Sequence, residues 1–574
     1  MDEVGYFKSK KIPVHTPGET EYERAVATAN LLYRFARPAC VVQPEHNFHV
    51  RAVVKQAKLK GVPLRIKNGG HSYAGFSTIN EGILLDLVNM KRVDLDIESK
   101  TVSIQGGALW GHVYKELVNE HHDGYIINGG RCPTVGVSGF ILGGGLGPFT
   151  RSFGMGSDTL QEATIVTADG TLVTVKDSDA RDSNAGRLFW ALCGAGAGNF
   201  GVLVEMKMRV QQLKGVDVVA GRFTWSPSSD TTTMDTFMQT MNTFYTTDWP
   251  DRTTIDSSWL CDLQKKRDDC YEPAVRFLVY HDGTKSDFDE VIDKHLGKGE
   301  VLAEQLKRRS MEEKSTRFLH ETLVTQWSEE TTKAFPSNPS YSIYTSFVFK
   351  NKASKIQKMI NIIRDEMKAF GKLFEGEQGL LQVTWIHSGG EASRKHPEAA
   401  AFRWRECNYH AYIMIQWQEK WLERDMRTFL QKFNLALRKH SMAGRATFIN
   451  FPDEALTKEA HEKAYFGHNH LELREVKKIW DKDNFFRWPQ SIQLPQPEPE
   501  AEAKAFDSEP RIETFALMTP SPADLDGYTD VAAKEDFNAG KTLTDKIAGR
   551  QWNNFEPLKT EFVGGIQGLT DLGF

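Results

Sequence analysis

Between about residues 36 and 212, short apolar runs rich in β-branched residues alternate with amphipathic segments of helical periodicity. An apolar position at every second residue is typical of a half-buried strand, and spacings of three and four are typical of a helix. Strands that alternate with helices in this way indicate an α/β or α+β module. The strand-like runs are ACVVQP, VPLRI, GILLDL, TVSIQG, EATIVTADGTLVTV and VLVEMKMRV, and the helix-like ones are NFHVRAVVKQAKLKG, LWGHVYKELVNEH and RLFWALCG.

From about residue 213 to residue 445, longer strand-like runs are mixed with long amphipathic helices. This mixture predicts a second domain in which helices cover a sheet. Residues 446–492 are predicted to form a compact closing segment, and the proline- and glutamate-rich stretch after Gln493 predicts that residues 493–574 are a linker and a tail. Runs that carry the second pattern are AVRFLVYH, SIYTSFVFK, YHAYIMIQW, KIQKMINIIRDEMKAF and WLERDMRTFLQKFNLALRKH.

Composition and charge narrow the range of partners. The chain has 574 residues, which is too many for one ordinary core, and its 40% hydrophobic and 26% charged residues are typical of a globular protein. A formal net charge of −5 gives no basic field for nucleic acid.

The apolar runs are far shorter than the roughly 20 residues of a membrane helix, and the N-terminal stretch has no apolar leader, so we expect a cytoplasmic protein. Six cysteines without a C-x-x-C pair predict no structural metal.

Glycine is concentrated in two loops of the first module. Gly69, Gly70 and Gly75 lie in the string RIKNGGHSYAG, and residues 129–147 form the string GGRCPTVGVSGFILGGGLG. Glycine allows positive φ angles and lets successive backbone N–H groups converge on an anion. So many glycines predict backbone that lies closely over a large, flat, phosphorylated ligand, with the first loop as a phosphate cradle.

These loops and four later segments resemble the vanillyl-alcohol-oxidase-type flavoproteins and, within them, the berberine-bridge-enzyme-like group. The resemblance, over about residues 36–492, implies an α+β fold that begins with a two-lobed PCMH-type FAD-binding domain in residues 1–212 (core about 36–212). A substrate-binding domain in residues 213–445 would carry a large antiparallel sheet covered by helices, and residues 446–492 would complete the FAD domain. The later segments are VTADG at 166–170, ALCGAGAGNFG at 191–201, YFGHN at 465–469 and DKDNFFRWPQSI at 481–492.

The resemblance implies FAD that is attached covalently at two positions. His71 matches the histidine that bonds to the 8α-methyl carbon of the flavin, and Cys132 matches the cysteine that bonds to flavin C6. Val135 stands where the family controls oxygen access, and a valine there resembles the oxidases, so dioxygen is the implied acceptor. The other residues implied to contact FAD are Gly69, Gly70, Ser72, Gly75, Gly136, Ser138, Gly139, Gly144, Val202 and Asn484.

The substrate side departs from the family pattern. Many relatives carry an N-Y-x-D segment whose tyrosine is the catalytic base, whereas the matching segment INFPD has Phe451, which cannot take a proton. In the run NYHAYIMIQW, an alternation of period two places His410 and Tyr412 on one face. We expect His410 to be the base, because its ordinary pKa is near neutral, and Tyr412 to be the second candidate.

Four aromatic residues, Trp385, Trp404, Tyr409 and Phe451, predict an apolar, partly aromatic substrate pocket. We therefore expect an FAD-dependent oxidase of secondary metabolism that transfers a hydride from a small, largely apolar natural product to flavin N5 and reduces dioxygen to hydrogen peroxide. The alternatives are a flavin-containing cyclase without net redox change, a carbohydrate oxidase with an atypical base, and a non-catalytic binding protein.

The G-x-G-x-x-G match at residues 196–201 predicts no NAD(P) site. The dinucleotide fingerprint needs a strand before the glycines and a helix after them. Here the helix-like run RLFWALCG comes before the glycines and the strand-like run VLVEMKMRV follows them.

Overall fold

Two sheets organise the first 212 residues of the computed structural model, which describes residues 3–227, 232–265, 273–333, 337–458 and 460–495. The strands of the first sheet are β1 (Val14–His15), β2 (Cys40–Val42), β3 (Leu64–Lys67) and β4 (Ile83–Asp86). Their order is β1-β2-β4-β3, with β4 parallel to both β2 and β3 and with β1 antiparallel to β2.

The second sheet is antiparallel and has the order β5-β6-β10-β8-β9, and β7 also pairs with β10. Its strand β10 follows the apolar alternation of VLVEMKMRV. Val202 and Val204 pack in the core shared with the first sheet, whereas Met206, Met208 and Val210 pack in a separate core. The strands are β5 (Val93–Asp96), β6 (Thr101–Gln105), β7 (Tyr125–Ile127), β8 (Leu160–Val166), β9 (Leu172–Lys176) and β10 (Val202–Gln212).

Seven helices accompany these sheets. The helix α3 ends at Gly61, whose φ of 67° lets its N–H close the last turn on the carbonyls of Ala57 and Lys58. The helix α7 precedes the glycine string at 196–201 and β10 follows it, so the predicted inverted order is confirmed. The helices are α1 (Glu3–Ser9), α2 (Thr20–Val26), α3 (Asn47–Lys60), α4 (Trp110–Asn119), α5 (Val137–Leu142), α6 (Thr150–Phe153) and α7 (Asn184–Ala195).

A seven-stranded antiparallel sheet forms the next part of the chain, in the order β14-β11-β13-β12-β16-β17-β15. Four residues, 213–216, separate it from the end of β10, so the predicted boundary after residue 212 coincides with the last residue of β10. The strands are β11 (Asp217–Trp225), β12 (Thr253–Asp262), β13 (Ala274–Asp282), β14 (Ser310–Lys314), β15 (Tyr341–Phe349), β16 (Gly379–His387) and β17 (Tyr409–Trp417).

The two faces of this large sheet have different partners. One face packs under helices in a core that includes Trp259, Phe277 and Ile413, whereas Tyr412 and Met414 of β17 point from the other face towards residues of the first region. The helices of this part are α8 (Met234–Thr246), α9 (Lys285–Leu296), α10 (Val301–Arg309), α11 (Ser315–Arg317), α12 (Leu323–Gln326), α13 (Ser328–Lys333), α14 (Ala353–Leu373), α15 (Glu391–Arg394) and α16 (Glu423–Arg438), with a π-helical turn at Phe318–Thr322.

The closing segment returns to the first region through α17 (His461–Phe466) and α18 (Asn469–Trp480). The amide oxygen of Asn199 accepts hydrogen bonds from the Trp488 indole and from the backbone N–H of Ile492. The buried Lys477 ammonium donates to the Asn199 carbonyl and to the Asp481 carboxylate. These bonds fix the segment against the glycine string at 196–201.

The observed architecture confirms the predicted α+β fold with a large antiparallel sheet covered by helices. Most of the predicted linker and tail, from residue 496 onwards, lies outside the described residues. Among the described helices, none combines the length and the apolar character that crossing a bilayer requires.

Candidate functional site

A cavity of about 310 Å³ lies between the two glycine loops and the closing segment. Phe448, Phe451, Phe486 and Trp488 contribute aromatic walls, and Arg65 contributes a cationic group. Nine of the residues implied to contact FAD line this cavity: Gly69, Gly70, His71, Ser72, Cys132, Val135, Gly136, Ser138 and Gly139.

A second cavity of about 110 Å³ shares His71, Cys132 and Val135 with the first one. It extends towards the N-terminal segment at residues 28–33 and towards the large sheet. The shared residues therefore lie at the junction of a long, glycine-lined cleft and a smaller chamber against the sheet. Gly75, another implied FAD contact, lines this chamber together with Thr28, Ala29, Asn30, Tyr33, Tyr73, Trp327, Asn338, Ser342, Tyr344 and Gln416.

The two candidate attachment residues are connected through one hydroxyl group. Oγ1 of Thr134 lies 3.1 Å from Nε2 of His71 and 3.3 Å from Sγ of Cys132. Oγ1 of Thr331 lies 3.6 Å from the same sulfur atom. Burial lowers the pKa of His71 to about 4, so its imidazole is neutral at pH 7. The motifs at 69–75 and 129–136, far apart in sequence, thus bring a neutral imidazole and a thiol together.

Close backbone contacts hold these loops in place. A Cβ atom on Gly69 would lie 2.6 Å from the backbone nitrogen of Gly136 and 2.8 Å from the carbonyl oxygen of Thr134, so the two loops can approach only without a side chain there. The Asn68 amide donates hydrogen bonds to the Gly106 carbonyl at 2.7 Å and to the Ser138 hydroxyl at 3.0 Å.

A buried ion pair joins the second loop to the large sheet. The Arg131 guanidinium donates from Nε and from its terminal nitrogen to the Asp256 carboxylate of β12, at 2.6 and 3.1 Å. The same carboxylate accepts the backbone N–H of His387 at 2.9 Å. Because Arg131 immediately precedes Cys132, this pair sets the position of the thiol relative to the sheet.

Two buried polar atoms near the first cavity fit a phosphorylated cofactor. Among the described residues, Nε of Arg65 and Oδ1 of Asn68, both from residues that line this cavity, are buried without a hydrogen-bond partner. Burial lowers the pKa of Arg65 to about 10, so its guanidinium remains cationic at pH 7. A buried cation with an unpaired N–H, beside glycine backbone, suits an anionic group. The residues present therefore fit FAD.

Three residues implied to contact FAD do not line either of these cavities. Gly144 has a φ of 110° and lies against the Met155 side chain. Val202 is fully buried between the first two sheets. Asn484 adopts a left-handed φ of 50°, in a turn whose N–H bonds to the Asp481 carbonyl. The sequence did not assign a role to Arg65, although it belongs to the string that carries His71.

The two candidate bases share one face of β17, as the alternation predicts, but differ in their surroundings. His410 is fully buried against Phe402, Phe448 and Cys407 and lines neither cavity. Burial lowers its pKa to about 3. The Tyr412 ring lies 4.8 Å from the Phe451 ring, which lines the first cavity. Tyr412 is thus the candidate nearer to the cleft.

The predicted aromatic pocket is partly wrong. Tyr409 and Trp385 lie in the core on the helix-covered face, because Tyr409 is out of phase with Tyr412 and because Trp385 pairs across the sheet with Ala411. The Trp404 indole bonds to the Ala464 carbonyl, and Phe451 is the predicted aromatic residue that lines the cleft.

Tyr73 and Tyr344 were missed by the sequence reasoning. Their rings stack with centroids 3.9 Å apart and an interplanar angle of 4°. Tyr344 shares the Tyr412 face, since Ser346, two residues further along β15, pairs with Tyr412. The alternation in SIYTSFVFK could have identified Tyr344, whereas no periodicity marks Tyr73.

Comparisons with known proteins agree with this site. The family described as "FAD binding domain" matches residues 38–176, and the family described as "Berberine and berberine like" matches residues 447–493. The chain is 26% identical over 483 residues to the uncharacterized FAD-linked oxidoreductase YgaK of Bacillus subtilis, covering 83% of this chain and 96% of that protein. It is 31% identical over 223 residues to the tetrahydroberberine oxidase of Argemone mexicana, covering 38% and 40% of the two chains.

The fold is also similar to a solved structure. The berberine bridge enzyme from Eschscholzia californica superposes with a TM-score of 0.71 at 19% identity, over 86% of this chain and 98% of that one. The two matched families lie in the parts of the chain that form the cleft. The two relatives given above are an FAD-linked oxidoreductase and an oxidase. The chain therefore contains an FAD binding domain and a berberine-like domain, and it is similar over most of its length to an FAD-linked oxidoreductase and to the fold of a berberine bridge enzyme.

Proposed function

We propose that this FAD-linked oxidoreductase is an oxidase that carries its flavin on both His71 and Cys132, oxidises a small, largely apolar molecule and uses dioxygen as the acceptor. The observation that carries the proposal is the junction of the two cavities, where one threonine hydroxyl contacts both residues. Bound FAD would supply the hydride acceptor at N5 and the route of electrons to dioxygen.

The chain's own residues would hold the cofactor along the larger cavity. The backbone at Gly69, Gly70 and Gly136 and the buried Arg65 guanidinium would receive the phosphate groups. The aromatic side chains of the closing segment would enclose the rest of the cofactor and exclude water. His71 and Cys132, at the end that meets the smaller chamber, would form the two covalent attachments.

Val135 supports dioxygen as the acceptor. Its side chain lines both cavities at their junction. A short branched side chain at this position leaves more room for a diatomic molecule than a longer one does. An oxygen path beside the attachment residues follows from this placement.

Tyr412 is the base that the geometry favours. Phe451, which replaces the usual tyrosine, lies 4.8 Å from Tyr412 between ring centroids, so the phenol of Tyr412 is placed to take the role lost at position 451. His410 is the weaker candidate, because a group with a pKa of about 3 holds a proton poorly at neutral pH. Tyr412, as its phenolate, would accept the substrate proton while the hydride leaves.

The substrate chamber combines aromatic rings with amides. Tyr73 and Tyr344 offer flat apolar surfaces, which suit an aromatic or otherwise apolar small molecule. The amide side chains of Asn30, Asn338 and Gln416 also line the chamber, and this observation favours a second candidate, a carbohydrate oxidase with an atypical base.

The test is a visible spectrum of the purified protein, repeated on its acid-precipitated pellet. We expect flavin colour to remain in the pellet and to disappear only in the His71→Ala, Cys132→Ala double variant. Anaerobic addition of apolar alcohols, phenolics and sugars should then bleach the flavin for one class. A product that forms while the flavin stays oxidised would indicate the cyclase, and a colourless protein that takes up no FAD would leave the binding function.

A further inference from the structure

We propose that Thr134 is the positioning residue for the attachment of His71 to the flavin. The proposal rests on the proposed function, in which His71 carries the cofactor. Thr134 lies two residues after Cys132, yet its hydroxyl contacts the imidazole of the other loop at 3.1 Å. A Cβ on Gly69 would meet the Thr134 carbonyl oxygen at 2.8 Å, so the close approach of the loops is what brings Thr134 to the imidazole.

The surroundings of His71 favour one position for its ring hydrogen, on Nε2, which lies 3.1 Å from the Thr134 hydroxyl. The backbone carbonyl of Thr134 raises the pKa of His71 against the larger effect of burial, as a carbonyl does when it accepts a hydrogen bond from an imidazole. A carbonyl can only accept a hydrogen bond, so this contribution favours the tautomer whose hydrogen is on the nitrogen that faces Thr134. That nitrogen is Nε2, which lies beside the Thr134 hydroxyl. The neutral ring then has its lone pair on Nδ1, and Nδ1 is the atom that can bond to carbon.

The hydroxyl also completes a chain of donors. If Nε2–H of His71 donates to Oγ1 of Thr134, the Thr134 hydroxyl can donate to Sγ of Cys132 at 3.3 Å, and the thiol can donate to Oγ1 of Thr331 at 3.6 Å. Every hydrogen in this chain is used once. Within this chain it is the Thr134 hydroxyl, the group in contact with the imidazole, that holds His71 in one tautomer and one ring orientation before the attachment reaction.

During the attachment reaction, Thr134 would also transfer a proton from the imidazole. A bond forms between Nδ1 and the methyl carbon of the flavin, while one C–H bond and one N–H bond break. The two hydrogens leave as protons, and these protons with two electrons reduce dioxygen, the oxidant, to hydrogen peroxide. Once Nδ1 is bonded to carbon, the hydrogen on Nε2 has to depart, and Oγ1 of Thr134 is the hydroxyl beside it. A hydroxyl can accept this proton, release its own and then donate to Nε2.

The experiment measures the rate of attachment rather than turnover. The parent protein carries Cys132→Ala, so that His71 is its remaining attachment residue. Apoprotein from riboflavin-limited cells is mixed with FAD in air, and acid-stable flavin on the His71 peptide is followed by mass spectrometry. Thr134→Val, which keeps the shape and removes the hydroxyl, should attach flavin at least about tenfold more slowly. Thr134→Ser should restore the parent rate.

A matched control removes the neighbouring hydroxyl. In the same parent, Thr331→Val deletes a group that contacts Cys132 and should leave the rate at His71 unchanged. Flavin fluorescence quenching on mixing shows that each variant folds and binds FAD before attachment.

Equal attachment rates in Thr134→Val and its parent would overturn this inference alone. A parent with intact Thr134 that forms no His71-linked flavin would instead overturn the bicovalent attachment in the proposed function, and the present inference with it. Slowing by Thr331→Val to the same extent as by Thr134→Val would also overturn the inference, since the effect would then belong to general packing.

Discussion

The two walls of the site are built in different ways. The wall that carries His71 and Cys132 consists of loop backbone, in which Gly69 and Gly136 approach so closely that neither accepts a side chain. The opposite wall is a face of the large sheet, where hydrogen bonds between strands fix the backbone and the side chains of β15 and β17 project from it. The loop wall is therefore defined by its backbone and the sheet wall by its side chains.

This difference explains where the chain departs from its family. A substitution in the loop wall would move backbone that the cofactor would contact. At the glycines of both loops, the chain matches the family pattern. A substitution on the sheet face changes a side chain while the paired strands keep their register. Phe451 stands where many relatives carry a tyrosine, and it lies beside this face rather than in the glycine loops. The substrate can thus change without loss of the cofactor site.

The largest structural disruption is expected from a side chain added to the loop wall. In Gly69→Ala, the added Cβ would lie 2.6 Å from the Gly136 nitrogen, which forces the loops apart and distorts the cradle. We expect the flavin content of the purified protein to fall by more than about tenfold, as measured from absorbance near 450 nm relative to protein.

The control for this variant is Gly215→Ala, because a Cβ there meets no atom within 4 Å. It should keep full flavin content. Stoichiometric flavin in Gly69→Ala would contradict the view that this wall depends on its backbone.

The next effect tests the sheet wall with two tyrosines of one strand. Tyr412→Phe removes the proposed base, and we expect the anaerobic rate of flavin reduction by substrate to fall by about 100-fold or more, because general base catalysis contributes that much. The flavin content should not change, since Tyr412 lies outside the loop wall.

Tyr409→Phe is the matched change on the opposite face of β17. It removes a hydrogen bond to the Tyr245 carbonyl, so we expect a loss of about 1 kcal/mol in the free energy of unfolding and an unchanged rate of reduction. Equal rates of reduction in Tyr412→Phe and wild type would remove Tyr412 from the mechanism.

The two walls also differ in what the sequence could predict. The loop wall follows from local strings, so the sequence alone assigns His71, Cys132 and Val135 to one cofactor site, and the structure brings them to one junction. The sheet wall depends on which of two faces meets the cleft. Alternation predicts that His410 and Tyr412 share a face, but nothing local identifies the face that the helices cover, which is why Trp385 and Tyr409 were misplaced.

Long-range contacts account for the site residues that the sequence did not predict. Tyr73 belongs to the site because Tyr344, far away in the sequence, stacks on it. Arg131 links the loop to the large sheet because its guanidinium pairs with Asp256 of β12. Thr134 lies among the glycines and the cysteine that predict the cofactor site, but its contact with His71 depends on the approach of the other loop. Such pairings follow from tertiary packing, which a single sequence without an alignment does not show.

A smaller effect sharpens the distinction between the two candidate bases. The pKa of His410 is about 3 in the folded chain and near 6.5 in an unfolded chain, so the unfolded chain binds more protons between these values. The folded chain therefore loses stability as the pH falls below about 6.5, and His410 accounts for about 2 kcal/mol of the loss between pH 7 and pH 5. Urea unfolding at both pH values should show this loss reduced by about that amount in His410→Gln.

The exposed His320→Gln is the control and should keep the wild-type difference between the two pH values. An unchanged difference in His410→Gln would show that His410 is protonated in the folded chain near neutral pH, which would return it to consideration as the base.

The smallest effect concerns a side chain within the loop wall. Val135 lines both cavities, so we expect Val135→Leu to slow the reaction of reduced flavin with dioxygen by about tenfold, the effect of one methylene group in a tight site. The anaerobic rate of reduction by substrate should not change, and Val135→Ala should react with dioxygen at least as fast as wild type. Stopped-flow mixing of reduced protein with oxygenated buffer measures this rate directly. If Val135→Leu slowed reduction and reoxidation equally, the added methylene would have shifted the loop backbone, and even this side chain would belong to the rigid part of the wall.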